Sequence, residues 1–146
     1  MYYVVLAAGQ SSRMGFDKAI KRDGAMAPLE RIARALGHRR AVLVVPARLR
    51  AVASLMLPGA PVVINDEPQR GMTHSLRLGL REVDAQSPAG VLLGDMPAMT
   101  QATIERTEAL LSGDVDVAFP VGCAAGLRYP ESMTAALGRE APPAGR

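Results

Sequence analysis

Cysteine occurs once, tryptophan not at all, and lysine only at Lys18 and Lys21. A lone Cys123 cannot close an intrachain disulfide and makes a zinc framework untenable, so the expected setting is a reducing compartment, the cytoplasm. The aromatics, Tyr2, Tyr3, Phe16, Phe119 and Tyr129, are scattered and offer no stacking platform for single-stranded nucleic acid. Charge of one sign is also scarce: 17 Lys and Arg against 14 Asp and Glu leave +3, too little to mark nucleic acid as a partner. No stretch reaches the roughly 18 uninterrupted apolar residues that a membrane span requires. The apolar opening from Tyr2 to Ala8 has no basic region before it and runs straight into a glycine loop, unlike a signal peptide.

What is present is the balance of a globular chain: 146 residues, 49% hydrophobic and 21% charged. At that length roughly 68 to 70% of the unfolded surface is buried on folding, enough for one domain over residues 1–146 without a covalent or metal staple. Short β-branched runs alternate with segments of helical period, which predicts an α/β fold: a single-domain, three-layer Rossmann-like architecture with a mainly parallel sheet. The expected strands are Tyr2 to Leu6, Ala41 to Val45, Pro61 to Ile64, Gly90 to Leu93 and Val115 to Phe119, apolar throughout as strands covered on both faces should be.

Helices are expected between them. Pro28 suits a first helical position, Leu29, Ile32, Ala33 and Leu36 share a face, and Gly37 supplies a stop. The segment from Ala47 to Leu57 repeats the pattern with Leu49, Val52, Ala53 and Met56. Thr73 is the expected cap of a third helix with the stripe Leu76, Leu80 and Val83, and Thr100 of a fourth containing Ile104 and Leu111. From about Gly122 the chain is poor in large apolar residues, with one short helix candidate near Glu131 to Leu137, and its last residues are expected to be loosely held.

In open parallel sheets ligands bind beyond the carboxyl ends of the strands, so the residues that follow each strand carry the functional question. The first exit reads Ala7-Ala8-Gly9-Gln10-Ser11-Ser12-Arg13-Met14-Gly15-Phe16-Asp17-Lys18. Gly9 and Gly15 permit sharp turns, the amides and the Ser11 and Ser12 hydroxyls can cradle an anion, and Arg13 and Lys18 add cations suited to a di- or triphosphate. The alternative is a glycine turn with solvated basic residues on its rim. No Gly-Lys-Ser or Gly-Lys-Thr closes the loop and no G-x-G-x-x-G occurs, so neither a Walker A loop nor a dinucleotide fingerprint is present.

The fourth exit places Asp95 between Gly94 and Pro97 after the apolar run Val91-Leu92-Leu93, where a carboxylate can hold Mg²⁺ against a bound phosphate or, alternatively, accept bonds from loop amides. The third exit supplies Asn65, either a ligand contact or a turn residue, and Gly71 before a helix whose first amides face the same edge. His74 falls in the first turn of that helix; a structural role, or one that supports a neighbouring site residue, is expected ahead of a catalytic one. The methionines and Cys123 read as packing residues.

The string Leu6-Ala7-Ala8-Gly9-Gln10-Ser11-Ser12-Arg13-Met14-Gly15 with Asp17-Lys18 resembles the signature loop of the MobA-like NTP transferases, in particular the molybdenum cofactor cytidylyltransferases. Asn65 followed by Gly71-Met72-Thr73-His74-Ser75-Leu76, and Leu93-Gly94-Asp95-Met96-Pro97 followed by Thr100, resemble two further segments of that family in the same order. The resemblance covers about the first 120 residues. It implies the fold of nucleotide-diphospho-sugar transferases and transfer of a nucleoside monophosphate from an NTP to a phosphorylated acceptor, with release of pyrophosphate.

On the same resemblance, Leu6, Ala7, Ala8, Gly9, Gln10, Ser11, Ser12, Arg13, Gly15, Lys18, Asn65, Gly71 and Ser75 would bind the nucleotide. Arg13 and the loop amides would take the β- and γ-phosphates, Lys18 the α-phosphate, and Asp95 the metal, with Arg13, Lys18 and Asp95 forming the catalytic set. Ala8, where guanylyltransferases of the superfamily tend to carry a second glycine, favours CTP over GTP and thereby a molybdopterin-type acceptor and a molybdoenzyme partner. The region after Gly122 departs from the family: after Asp116 the only acids are Glu131 and Glu140, so a shortened C-terminal part without a second metal carboxylate is expected. A catalytically weak nucleotide-binding relative, or a transferase with a different phosphorylated acceptor, stays open beside the cytidylyltransferase reading.

Overall fold

The computed structural model describes residues 1–9, 17–22, 24–84, 87–96 and 99–110. Strands β1 (Tyr2–Leu6), β2 (Arg40–Val45), β3 (Val62–Ile64) and β4 (Ala89–Leu93) form a parallel sheet in the order β3-β2-β1-β4. The period-two alternation of the strands sorts their side chains into two cores. Tyr3, Val5 and Ala7 of the first strand segment join Leu43, Val45 and Leu92 on one face, while Val4, Leu6 and Ala8 join Val44 on the other.

Each face is closed by helices. Helices α1 (Pro28–Leu36), α2 (Arg50–Met56) and α4 (Gln101–Leu110) carry Leu29, Ile32, Leu36, Ala53 and Ile104 into the first core. Helix α3 (Met72–Leu80) covers the second with Met72, Leu76 and Leu78. The result is the three-layer, Rossmann-like α/β arrangement expected, with every observed strand pair parallel. The expected strand Val115 to Phe119, the helix candidate Glu131 to Leu137 and Leu111 lie outside the described residues.

Local chemistry sets the helix boundaries. In α1, Pro28 occupies the first turn, and the Glu30 carboxylate accepts the Ala27 N–H at 2.7 Å, satisfying a donor that the helix itself leaves open. After Pro46 the chain tightens into a 3₁₀ turn over Ala47–Leu49, closed by the Leu49 N–H donating to the Pro46 carbonyl at 2.9 Å, before α2 begins at Arg50; one continuous helix from Ala47 was the expectation. The Thr100 hydroxyl accepts the Thr103 N–H at 3.2 Å and caps α4 as expected.

Two expectations for α3 are corrected. The helix starts at Met72, not after Thr73, because Gly71 at φ 84° makes the turn into it, a conformation that favours glycine. Leu80 points outward at 39% exposure, and the buried positions of the helix are Ser75 and Gly79, four residues apart. A Cβ on Gly79 would fall 2.3 Å from Val4 Cγ1 and 2.9 Å from Val44 Cγ2. Small residues therefore let α3 lie directly on β1 and β2. Gly79→Ala is expected to destabilise the protein by about 1–3 kcal/mol through overpacking, read as a lowered urea midpoint; an unchanged midpoint would show that the helix has room to lift.

At the amino edge of the sheet, Glu108 of α4 accepts hydrogen bonds from the Tyr3 hydroxyl at 2.7 Å and from Arg39 Nε and Nη2 at 2.9 and 2.8 Å. Burial, then the Glu108 carboxylate, pushes the Tyr3 phenol well above its usual range, so it stays a donor. The Arg39 hydrogen bonds hold the Glu108 carboxyl below the usual carboxylate range, with burial opposing them. A depressed folded pKa stabilises the fold above the unfolded value and loses that contribution as pH falls through the folded one. Glu108→Gln should therefore cost about 1 kcal/mol at pH 7, and the gap to the parent chain should be narrower at an acidic pH below the usual carboxylate range. Urea titrations at the two pH values check this; an equal gap at both would contradict it. Among the described residues no helix is long and apolar enough to cross a membrane.

Candidate active site

Three backbone hydrogen bonds gather the strand exits on one edge. The Ala7 N–H donates to the Val44 carbonyl, the Asn65 N–H to the Val45 carbonyl, and the Gly94 N–H to the Leu6 carbonyl, each at 2.8 Å. In the order β3-β2-β1-β4 the winding reverses between β1 and β4. In doubly wound sheets such a reversal is where a crevice forms at the carboxyl edge and ligands are taken.

The two exits that flank the crevice are those of Gly9 and Asp95. Leu6 pairs with Leu93 in register, and Leu6, Ala7 and Ala8 are buried, so these three can meet a ligand only through main-chain groups. Gly9 is exposed, which marks the point where the chain emerges from the core. On the other side a Cβ on Gly94 would lie 2.6 Å from Ala7 Cβ and 3.0 Å from Ala7 Cα. The absence of a side chain at Gly94 is what lets the β4 exit sit against the β1 exit. The Met96 N–H then donates to the Leu93 carbonyl at 3.1 Å, closing a turn that carries Asp95 exposed on the edge.

The chain returns from the glycine loop through Asp17. The amides of Ile20 and Lys21 donate to the Asp17 carbonyl at 3.2 and 3.1 Å, forming a turn with Lys18 exposed on it, and Leu29 N–H donates to the Ala19 carbonyl at 3.0 Å. The Asp17 carboxylate takes both Nε, at 2.9 Å, and Nη2 of Arg48, which stands three residues beyond the end of β2. Lys18 is thus tied, through its neighbour, to the exit of β2. Gln10, Ser11, Ser12, Arg13 and Gly15 lie outside the described residues.

At the β3 exit Asn65 is 1% exposed, and both ends of its amide are engaged. Its Oδ1 accepts the Glu67 N–H at 2.9 Å and its Nδ2 donates to the Ser75 hydroxyl at 2.8 Å. Of the two roles open to Asn65, the turn residue is the one these bonds describe: it locks the strand exit to the first turns of α3 and so fixes the position of Gly71 between them. Glu67 Oε2 lies 3.0 Å from Arg70 Nη1 and 3.7 Å from His74 Nε2. This small polar group rims the same edge and escaped sequence reasoning, since nothing local in the sequence pairs Glu67 with Arg70 or His74.

Asp95 is an exposed carboxylate beside the β1 exit, and Asp66 and Glu67 are exposed at the β3 exit. Among the described residues no group of three or more His, Cys, Asp and Glu could hold a metal by itself. An exposed single carboxylate suits Mg²⁺, which keeps several waters and is commonly bound by one or two carboxylates together with substrate phosphates.

A parallel sheet of this order, with helices on both faces, places the chain in the Rossmann-like α/β class. More narrowly, it belongs to the MobA-like NTP transferase domain family, whose profile matches residues 3–137. Rv0371c from Mycobacterium tuberculosis H37Rv superposes with a TM-score of 0.63 at 32% identity, over 75% of this chain and 59% of that one. A complex of Rv0371C with manganese gives 0.59 at 28% identity, over 75% and 58% of the two chains. A nucleotidyl transferase from Methanothermobacter thermautotroptrophicus shares the fold, with a TM-score of 0.58 at 24% identity, over 74% and 56%. The chain therefore spans somewhat under three fifths of the length of these structures. Among curated protein sequences none matches it.

Proposed function

We propose that the protein is a nucleotidyltransferase that moves CMP from CTP to a phosphate of a molybdopterin-type acceptor, releasing pyrophosphate, in the cytoplasm and for delivery to a molybdoenzyme. The observation that supports this reading is the register of β1 with β4, by which the exits leading to Gly9 and to Asp95 leave the carboxyl edge side by side. Family membership and the manganese complex of a relative support a nucleotide substrate and a divalent cation, Mg²⁺ in this proposal.

In the reaction an acceptor phosphate oxygen forms a bond to the α-phosphorus while the bond from that phosphorus to the bridging oxygen breaks, and the electron pair leaves on pyrophosphate. Donor and acceptor are both anions, so the site must neutralise charge and align the attack rather than supply a covalent nucleophile. In this reading the Gly9 to Ser12 amides and Arg13 hold the β- and γ-phosphates, Lys18 reaches the α-phosphate, and Asp95 holds the metal. Bound there, the ion would supply charge neutralisation on the phosphate oxygens. Asn65 and Ser75 serve by fixing Gly71, whose neighbouring amides open α3 toward the edge.

The test is pyrophosphate release from each of the four NTPs with Mg²⁺ and molybdopterin. Release is expected with CTP above the others and is expected to stop on chelation of the metal. Tight NTP binding with no pyrophosphate would leave a nucleotide-binding module and end the transferase proposal; release only with other phosphorylated acceptors would replace molybdopterin.

A further inference from the structure

The ion pair of Asp17 and Arg48 joins two segments that nothing local would bring together, 31 residues apart in the chain. Asp17 ends the return of the glycine loop, and its carboxyl is largely covered, at 15% side-chain exposure. Arg48 sits on the 3₁₀ turn that follows β2, a turn fixed by Pro46 and by Leu49 buried in the core. The rigid partner in the pair is therefore the β2 exit. The guanidinium contacts both carboxylate oxygens, a fork geometry that fixes orientation as well as distance.

We infer that Arg48 is a positioning residue of the nucleotide site: by gripping Asp17 in a fork, it sets where the turn carrying Lys18 lands on the carboxyl edge. The inference rests on the proposed function and adds to it a residue from the β2 exit. The Ile20 and Lys21 amides bond to the Asp17 carbonyl, so displacement of Asp17 moves the turn as a unit, and Lys18 with it.

The physics separates this role from two plainer ones. Arg48 is 56% exposed, and an exposed ion pair contributes little to stability, so a merely structural pair would leave nothing large to measure. A guanidinium that simply attracted a polyanion would act more strongly once released from Asp17. Asp17→Asn distinguishes the two, because it removes a negative charge near the site yet breaks the ionic fork. If Arg48 positions, NTP binding weakens; if it only attracts, binding tightens.

The experiment measures CTP affinity with Mg²⁺ by calorimetry for the parent chain, Arg48→Ala, Asp17→Asn and the double variant, alongside thermal midpoints. Each single change is expected to weaken affinity by ~10-fold with the midpoint moved by no more than about 3 °C, and the double variant to be no worse than either single. Arg48→Lys, which keeps the charge without the fork, should recover only part of the loss. Tighter binding by Asp17→Asn, additive losses in the double variant, or full recovery by lysine would overturn the inference while leaving the functional reading in place. A parent chain that binds none of the NTPs would overturn the functional reading, and the inference with it.

Discussion

Asp95→Ala is expected to lower nucleotidyl transfer by at least about 100-fold while moving folding stability by no more than about 0.5 kcal/mol. The asymmetry follows from position. Asp95 is exposed on a turn closed by backbone groups, Met96 N–H to the Leu93 carbonyl, and among the described residues none bonds to its carboxylate. What its removal takes away is the one described carboxylate on the lip of the crevice beside β1. Asp95→Asn should behave alike, since the amide retains the shape and loses the charge that would hold a cation. Parallel measurements of pyrophosphate release and the urea midpoint check the pair, and retained turnover in either variant would remove Asp95 from the site.

Gly94→Ala is expected to lose both properties together. The added methyl would meet Ala7 Cβ at 2.6 Å and the Leu6 carbonyl oxygen at 3.2 Å, atoms held by the sheet and unable to swing aside as the end of a long side chain would. The exits of β1 and β4 must then part, and the hydrogen bond from Gly94 N–H to the Leu6 carbonyl lengthens. Stability should fall by about 1–3 kcal/mol, and because reacting groups tolerate misplacement poorly, turnover should fall by at least about 100-fold in the fraction that stays folded. A variant destabilised by that amount but active within about twofold of the parent would show that the contact of the two exits does not position the chemistry. Set beside Asp95→Ala, the two variants separate the geometry of the crevice from the charge on its lip.

Much of this architecture is legible from local signals. The β-branched runs of β1 and β2, the proline that opens α1 and the threonine that caps α4 each act within a few residues, and each lies where sequence reasoning puts it. The strand-exit rule then brings Gly9 and Asp95 to one edge without any knowledge of their contacts. What escapes is whatever depends on approach between distant segments. The stripe Leu76, Leu80 and Val83 fits helical period, yet Leu80 faces outward because α3 is seated through Gly79 on Val4 and Val44. The bond between Tyr3 and Glu108 spans 105 residues, and the pair of Asp17 and Arg48 spans 31, so neither leaves a periodic trace. Asn65 was legible as a residue of consequence at a strand exit, but the inward engagement of its amide with Ser75 and Glu67 requires the packed helix to be seen.

In the proposed reaction a metal-bound nucleoside triphosphate sits between the β1 and β4 exits. Paramagnetic broadening by Mn²⁺ with CTP, read on backbone amides of the labelled chain, tests it most directly. The signals of Gly9, Gly94, Asp95 and Met96 are expected to vanish at low Mn²⁺ while those of Tyr2, Arg40 and Ala89, at the opposite edge of the sheet, persist. Broadening centred on the amino edge, or none at Asp95, would contradict it.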